Sequence, residues 1–237
     1  MLSIKNISKI YKGSNKGISN LSLELHQGDI CAFIGANGAG KTTTIKSIVG
    51  IHPFDKGEVT LFGTNLQANP AHFKSMIGYS PDTPALYPNM TGKAYLELIA
   101  SLYEIDEGER NKNLAYLLKE LTFETAVHEL ISSYSHGMKQ RLVLISLLMH
   151  NPKLIILDEP FVGLDPNATR FLIDEMKSRA SEGVIILYST HVLEVAEKVC
   201  NKLVIFHKGE VVVNDTMEHI LQKASLDEIF RDVTSDD

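Results

Sequence analysis

The distribution of apolar and polar residues predicts strands in the first third of the chain. Residues 21–25 alternate apolar and polar side chains, as in a strand with one buried face. Residues 30–34 are a continuous apolar run followed by glycine, which is typical of a buried strand that enters a turn. Pro81, Pro84 and Pro88 end this region and indicate a linker.

Helical spacing replaces the strand patterns beyond these prolines. Residues 91–104 and 110–121 place apolar side chains three and four positions apart, which is the period of a helix face. Residues 135–150 predict a third helix, which begins with Ser135 and is followed by Asn151 and Pro152. Further strand signals lie at 154–157, 184–187, 203–206 and 211–213, separated by helical stretches at 166–181 and 191–200.

These elements predict an α/β fold in one domain, residues 1–237, because strands and helices alternate along much of the chain. We expect residues 1–84 and 151–215 to form a core with a mainly parallel sheet. Residues 85–150 are expected to form a helical insertion in that core. Residues 216–237 are predicted to be a short helical tail with a polar, acidic tip.

The composition is that of an ordinary globular protein and excludes several classes. Of the 237 residues, 44% are hydrophobic and 22% are charged, which excludes a disordered chain, a collagen-like repeat and a disulfide scaffold. The 23 basic and 29 acidic residues leave a net charge of −6, which disfavours extended binding to nucleic acid. This balance does not bear on a small phosphate ligand, which needs only a local site.

The cysteines and the apolar runs predict a cytoplasmic protein that does not itself cross a membrane. Cys31 and Cys200 lie far apart in apolar surroundings and outside any metal-ligand pattern, so we expect two buried thiols in a reducing compartment. The first residues lack the apolar core of a signal peptide. The longest apolar run, residues 142–149, is far short of the ~20 residues of a spanning helix.

The most specific motif is GANGAGKT at residues 35–42, directly after the predicted strand 30–34. It fits the G-x-x-x-x-G-K-[ST] pattern of a phosphate-binding loop that opens a helix. In such a loop the backbone N–H groups and the helix N-terminus face the phosphate oxygens. Lys41 is expected to reach the β- and γ-phosphates, and Thr42 to ligate Mg²⁺. The alternative is a glycine-rich turn without a ligand, but a chance match in a chain of this length is roughly a 1% event.

A second motif follows the predicted strand 154–157. Asp158 and Glu159 come directly after its apolar residues, at the carboxyl edge where α/β sheets bind ligands. Asp158 suits a contact with Mg²⁺ through water. Glu159, directed to the other side by strand alternation, suits the polarisation of a water molecule. Taken alone, the motif is equally compatible with a buried strand that ends in a solvated acidic turn.

In their order and spacing these motifs resemble those of the nucleotide-binding subunits of ABC transporters, along nearly the whole chain. Residues 35–42 resemble the Walker A loop, and residues 154–159 resemble Walker B with its catalytic glutamate. Residues 134–141, YSHGMKQR, resemble the signature motif, and residues 163–166, GLDP, resemble the D-loop. The combination is more specific than any one of the motifs.

The resemblance implies a fold, two cofactors and a set of site residues. The fold is an α/β P-loop NTPase core, RecA-like, with an antiparallel β portion and an inserted α-helical subdomain. ATP and Mg²⁺ are the cofactors. His191 resembles the switch histidine, and the alternative is a helix-capping or core histidine. Tyr11 lies where the family stacks an aromatic side chain on adenine, and the alternative is a partly exposed surface tyrosine. The implied residues are the catalytic Lys41, Glu159 and His191, the nucleotide-binding Tyr11, Asn37, Gly38, Ala39, Gly40, Lys41, Thr42, Thr43, Asp82, Ser135, Gly137 and Asp165, and the metal-binding Thr42, Asp82 and Asp158.

Three positions depart from the family pattern. Asp82 stands where the family has the Q-loop glutamine, and its shorter, charged side chain is expected to hold Mg²⁺ only through water or after loop movement. His136 and Met138 replace a glycine and a glutamine of the signature motif. One hypothesis is that the His136 ring makes the ATPase sensitive to pH between about 6 and 7. The alternative is a substitution without functional effect.

The resemblance also implies two protein partners. Two subunits would close head to tail, with each ATP between one P-loop and Ser135 and Gly137 of the other subunit. The subunit would drive a separately encoded permease from the inner face of the cell membrane, without inserting into the membrane and without binding nucleic acid. Leu86 and Tyr87 are expected to be exposed and to form part of the permease groove. Packing between lobes is the alternative for these two residues.

The predicted function is therefore ATP hydrolysis that powers transport. The signature motif and residues 226–230 resemble a mostly exporting branch of the family. A soluble ABC-type ATPase that acts on ribosomes or DNA is the main alternative, although such proteins usually carry two domains or a long coiled coil. A non-hydrolysing nucleotide clamp and a small-molecule kinase are two further alternatives. The sequence does not indicate the transported substrate, nor whether the dimer is homomeric.

Overall fold

Two β-sheets form the framework of the part of the chain that the computed structural model describes, residues 1–11, 13 and 17–234. The strands are β1 (Leu2–Ile10), β2 (Gly17–Leu25), β3 (Ile30–Ile34), β4 (Lys56–Leu61), β5 (Thr64–Asn65), β6 (Ile77–Ser80), β7 (Leu154–Leu157), β8 (Ile185–Thr190), β9 (Lys202–His207) and β10 (Glu210–Thr216). The helices are α1 (Lys41–Ile48), α2 (Pro70–Ser75), α3 (Gly92–Leu102), α4 (Glu107–Glu120), α5 (His136–Leu148), α6 (Pro166–Ser181), α7 (Leu193–Val199), α8 (Met217–Lys223) and α9 (Leu226–Thr234).

The larger sheet is mainly parallel, as predicted. Its strand order is β10-β9-β3-β8-β7-β6, and β10 alone runs antiparallel to its neighbour. Every residue of β3 and β7 is buried, which explains their continuous apolar sequences. Strand β8 continues through Tyr188 to Thr190, three residues beyond the predicted end. Its last two residues, Ser189 and Thr190, are buried polar residues that the apolar pattern could not include.

The smaller sheet is antiparallel and has the strand order β2-β1-β4-β5. The alternation at residues 21–25 places Leu21, Leu23 and Leu25 in the core, while Ser22 and Glu24 are exposed. This confirms the predicted strand with one buried face. The sheet packs over the larger sheet and helix α1, because its apolar residues share one buried cluster with theirs.

Helices α3, α4 and α5 confirm the helical pattern between the prolines and β7. Helix α4 begins three residues before the predicted start, because Asp106 accepts hydrogen bonds from the N–H groups of Gly108 and Glu109 and so caps it. Helix α2 was not predicted; its six residues are too few to show a helical period. The tail forms α8 and α9, and residues 235–237 lie outside the described residues.

Strand β3 is held between two apolar clusters. The side chains of Ala32 and Ile34 join the cluster that contains helices α3–α6, and those of Cys31 and Phe33 join the cluster that contains α1 and the antiparallel sheet. The Phe33 ring meets Phe206 of β9 edge-on, with ring centroids 4.9 Å apart. The strand therefore gives the loop that follows it a rigid starting point.

The burial of single residues confirms the expectation for the two cysteines and corrects the expectation for Leu86. Cys31 and Cys200 are buried free thiols, and burial raises the pKa of Cys200 to about 12 and that of Cys31 also. The expectation that Leu86 is exposed was wrong, because Leu86 is half-buried against the core, whereas Tyr87 is exposed. None of the helices in the described part of the chain has the length and the apolar character that a membrane crossing requires.

Candidate nucleotide-binding site

Three loops that carry the predicted motifs meet at the carboxyl edge of the parallel sheet. Residues 35–40 follow β3, Asp158 and Glu159 follow β7, and His191 follows β8. Strand β8 pairs with both β3 and β7, so the three loops are neighbours at one edge. Ligands bind at this edge in open α/β sheets.

The P-loop requires glycine for two different reasons. Gly40 has a φ of 111°, a left-handed conformation that other residues rarely adopt. Gly35 has no room for a side chain, because a Cβ atom there would lie 2.6 Å from the carbonyl oxygen of Phe206. Among the described residues no side chain caps α1 after Gly40, which leaves the N-terminus of this helix available to an anion.

Lys41 is buried and spans the P-loop. Its Nζ donates to the carbonyl oxygens of Gly35 at 2.6 Å and of Ala36 at 3.2 Å. Burial lowers the pKa of the Lys41 ammonium, while Glu159 and Asp158 oppose this shift. The P-loop therefore holds a cation that faces the two carboxylates of the neighbouring loop.

Asp158 is the buried centre of a polar network. Its Oδ1 accepts hydrogen bonds from the hydroxyl of Thr42 at 3.2 Å and from that of Ser189 at 2.6 Å. Its Oδ2 is buried and has no hydrogen-bond partner among the described residues. A buried carboxylate oxygen without a donor, next to a threonine hydroxyl, suits Mg²⁺, which takes oxygen ligands.

Glu159 lies in a turn rather than in the strand. Strand β7 ends at Leu157, and Glu159 has a φ of 50°, so the expectation that strand alternation sets its direction was wrong. Its N–H donates to Ser189 Oγ at 2.8 Å, and its Oε2 lies 3.0 Å from Nδ1 of His191. The backbone and the side chain of Glu159 are therefore held by the end of β8.

A cavity of about 180 Å³ brings together most of the predicted nucleotide-binding residues of the P-loop with Glu159 and Asp82. Ala39 is buried in the same loop and does not contribute to the cavity wall. The lining residues are Asn37, Gly38, Gly40, Lys41, Thr42, Thr43, Asp82 and Glu159.

The signature residues lie elsewhere. Ser135 caps α5 by accepting from the N–H of Met138 at 3.3 Å, and neither Ser135 nor Gly137 lines the P-loop cavity in the described structure. Gly137 and His136 instead pack on Gly163. A Cβ atom at Gly137 would lie 2.7 Å from the Gly163 carbonyl oxygen, and one at Gly163 would lie 2.5 Å from the His136 ring.

Asp165 and Tyr11 have local partners. Asp165 caps α6 and forms an ion pair with Arg141. The hydrogen bond from the Ala168 N–H lowers the pKa of the Asp165 carboxyl group most, and the hydrogen bond from Arg141 lowers it further. The Tyr11 hydroxyl lies 3.4 Å from Thr43 Oγ1, so its ring is beside the P-loop helix. The geometry brings Tyr11 to the P-loop and does not bring Asp165 to it.

Sequence reasoning missed the function of Ser189. It is fully buried and its hydroxyl connects Asp158 with the backbone of Glu159, so it positions both carboxylate residues. The available signal was a serine at the carboxyl end of an apolar strand, two positions before His191. Such a signal becomes specific only once β7 and β8 are known to be neighbours.

A P-loop, a buried aspartate beside its threonine and a glutamate–histidine pair at one sheet edge define a P-loop nucleotide-binding protein. A family model described as ABC transporter matches residues 18–162. The ABC-type transporter ATP-binding protein EcsA of Bacillus subtilis is 35% identical over the whole chain and 98% of its own length. The SkfA peptide export ATP-binding protein SkfE of the same organism is 31% identical over 90% of the chain and 87% of its own length.

A solved structure of the ATP binding subunit of an ABC transporter superposes with a TM-score of 0.94, at 35% identity and over 99% of both chains. The chain therefore belongs to the ABC transporter family. It is an ATP-binding subunit of that family and an ATPase with the P-loop NTPase fold.

Replacement of Ser189 by alanine is predicted to lower both stability and turnover. Without the hydroxyl, the Glu159 N–H and a buried Asp158 oxygen lose a partner, which costs about 1–3 kcal/mol of the free energy of unfolding. Urea denaturation measures this cost, and steady-state ATPase assays measure the loss of kcat. Ser181→Ala, on the exposed end of α6, is the matched control and should change stability by less than about 0.5 kcal/mol. Equal effects of the two substitutions would contradict this assignment.

Proposed function

We propose that the chain binds and hydrolyses ATP as one half of a head-to-tail dimer and thereby drives a separately encoded membrane permease. The observation that supports this most is the division of the site. Lys41, Thr42 and Glu159 line one cavity, whereas Ser135 and Gly137 lie outside it. One chain then contains two complementary halves of a site, and two chains complete both.

In the proposed site the P-loop binds the phosphates of ATP. The N–H groups at the start of α1 and the ammonium group of Lys41 supply the positive charge. Thr42 and Asp158 would hold Mg²⁺, with Asp82 in contact only through water or after loop movement. Bound Mg²⁺ neutralises part of the phosphate charge. Asn37 and the other residues of the P-loop wall position the triphosphate.

Glu159 is proposed as the base that orients and polarises the attacking water. The carboxylate lines the cavity, and its Oε2 is held by Nδ1 of His191 at 3.0 Å. A carboxylate held in this way can accept a proton from water as the bond to phosphorus forms. His191 is more than half exposed, so it is accessible for contact with the γ-phosphate.

The N-terminus of α5 is proposed to bind the phosphate of the partner's ATP. Ser135 caps this helix and is exposed, and a capped helix N-terminus remains an anion site. Gly137 lies one residue inside the helix, with its backbone against Gly163. Asp165 supports the same surface from α6, because its ion pair with Arg141 connects α6 to α5.

Tyr11 is proposed to stack on adenine. Its ring lies beside Thr43 at the start of α1, where the base of a nucleotide held by the P-loop is within reach. An exposed aromatic face at this position would bind a base by stacking.

Export is the proposed direction of transport. The relative SkfE is named as a peptide export protein, and the signature motif and the tail resemble an exporting branch. No observation favours action on ribosomes or DNA. The proposed position of the subunit is the inner face of the cell membrane, held there by the permease.

An exposed apolar face of α3 is proposed as the permease contact. Tyr87 packs on Tyr95 with ring centroids 6.4 Å apart, and Leu98 and Leu102 follow on the same helix face by spacing. Tyr87, Leu98 and Leu102 are all exposed, Leu102 by 69%. A group of exposed apolar side chains marks a candidate interaction site. We call Tyr87, which precedes the helix, together with Leu98 and Leu102 of α3, the α3 apolar face.

Glu159→Gln is predicted to bind ATP, to form a stable dimer and to hydrolyse ATP at least about a hundredfold more slowly. The amide keeps the shape of the side chain but does not accept a proton at neutral pH. Light scattering after gel filtration with ATP measures the dimer, and phosphate release measures turnover.

Lys41→Ala is the control for the ATP-dependent dimer of Glu159→Gln, because it should lose ATP binding and remain monomeric under the same conditions. Near-normal hydrolysis by Glu159→Gln, or a monomer at saturating ATP, would contradict the proposed site.

The α3 apolar face is tested with the Glu159→Gln protein on membranes of its native host. We expect the tagged protein, solubilised with ATP, to co-purify with a polytopic membrane protein, and Leu102→Arg to lose that partner while still forming the ATP-dependent dimer. Leu221→Arg, at an exposed leucine of α8, is the matched control and should retain it. Co-purification of ribosomes or DNA, with nothing from the membrane, would instead support the soluble alternative.

A further inference from the structure

The hydroxyl of Tyr11 is held from two sides. Its Oη lies 3.0 Å from Nδ1 of His52 and 3.4 Å from Oγ1 of Thr43. The Tyr11 and His52 rings meet edge-on, at 87° and with centroids 6.0 Å apart. His52 belongs to none of the motifs described above. It is nevertheless in direct contact with the one aromatic side chain that we place beside the nucleotide base.

The backbone around His52 is fixed relative to Tyr11. The His52 N–H donates to the carbonyl oxygen of Lys46 in α1 at 3.0 Å. Three residues later, Asp55 accepts a bond from the N–H of Ile10 at 3.0 Å, which ties this segment to the end of β1. The backbone segments that carry Tyr11 and His52 are therefore both anchored to α1 and β1, and the fold sets the distance between the two side chains.

The protonation state of His52 suits this contact. Burial lowers the pKa of His52, and the positive charges of Lys46 and Lys9 lower it further. A neutral imidazole at neutral pH offers one ring nitrogen as an acceptor. The phenol hydroxyl of Tyr11 can then donate to Nδ1 of His52 in the tautomer that carries its proton on Nε2.

We propose that His52 is a positioning residue for the nucleotide base, because it holds the Tyr11 ring in the orientation on which adenine stacks. The inference rests on the proposed base contact of Tyr11. Stacking needs the ring face open and the ring plane fixed, and a side chain held by its hydroxyl loses little freedom when the base binds. His52 thus acts on affinity for the base and leaves the phosphate chemistry unchanged.

Displacement of a fluorescent ATP analogue tests this with two competitors, ATP and inorganic tripolyphosphate, which carries no base. We expect His52→Ala to weaken the binding of ATP about three- to tenfold, which is the range of one hydrogen bond. The affinity for tripolyphosphate should not change. In ATPase assays KM should rise by a similar factor while kcat stays constant. His52→Asn, which keeps an acceptor near the position of Nδ1, should restore affinity.

Tyr11→Phe supplies the matched partner substitution, because it removes only the hydroxyl. It should weaken ATP binding at least as much as His52→Ala does, because the contact with Thr43 is lost as well. The double variant should bind ATP no more weakly than Tyr11→Phe alone. Additive losses would overturn the proposal. The proposal would also be overturned if His52→Ala left the ATP affinity unchanged, or if it weakened the binding of ATP and of tripolyphosphate equally.

Two further variants separate this inference from the proposed function. Tyr11→Ala should weaken the binding of ATP by about fivefold to a hundredfold, because the stacking contact is lost. If Tyr11→Ala has this effect and His52→Ala has none, only the role of His52 fails. If Tyr11→Ala has no effect, the base contact itself fails and the role of His52 fails with it. If Lys41→Ala still binds both competitors, the proposed phosphate site fails.

Discussion

The site depends on the position of β3 between two apolar clusters. Alternate side chains of this strand enter opposite clusters, so the strand is fixed from both faces before its chain turns into the P-loop. Gly35 begins that turn against the backbone of β9, where a side chain would not fit. Packing of the sheet thus fixes the origin of the loop, and the left-handed φ of Gly40 fixes its end.

The polar network around Asp158 transmits this rigidity to the neighbouring loops. Asp158 is almost completely buried and is hydrogen-bonded to Thr42 of α1 and Ser189 of β8. Because a buried carboxylate is costly unless it is hydrogen-bonded or bound to a cation, the network favours one arrangement of the three loops. The Ser189 hydroxyl also accepts a hydrogen bond from the Glu159 N–H, so the positions of Asp158 and Glu159 are coupled.

The sequence predicted most of the fold, together with the P-loop and the acidic residues that the structure brings to one edge of the parallel sheet. Continuous apolar runs identified β3 and β7 because these strands are buried on both faces, and the glycine pattern identified the P-loop because its backbone conformation requires those residues. The extension of β8 through Ser189 was not predicted, because a buried polar residue at a strand end has the same sequence pattern as the start of a loop. The exposure of Leu86 was also mispredicted.

The contacts between distant segments could not be predicted from spacing alone. The contact of His52 with Tyr11 joins residues 41 positions apart, and that of His136 with Gly163 depends on how α5 meets the loop before α6. The direction of Glu159 required the left-handed turn after β7, which overrides strand alternation. Each of these features arises from tertiary packing, which a periodic pattern does not encode.

In the proposed dimer, each ATP site is shared between two chains. Complementation of two inactive proteins tests it most directly, with Lys41→Ala affecting the P-loop and Ser135→Asp affecting the signature helix. Aspartate retains the helix cap but places a negative charge where a partner's phosphate would bind. We predict that neither protein hydrolyses ATP alone and that an equimolar mixture does, because mixed dimers contain one site with both wild-type halves. A mixture no more active than its components would contradict a shared site.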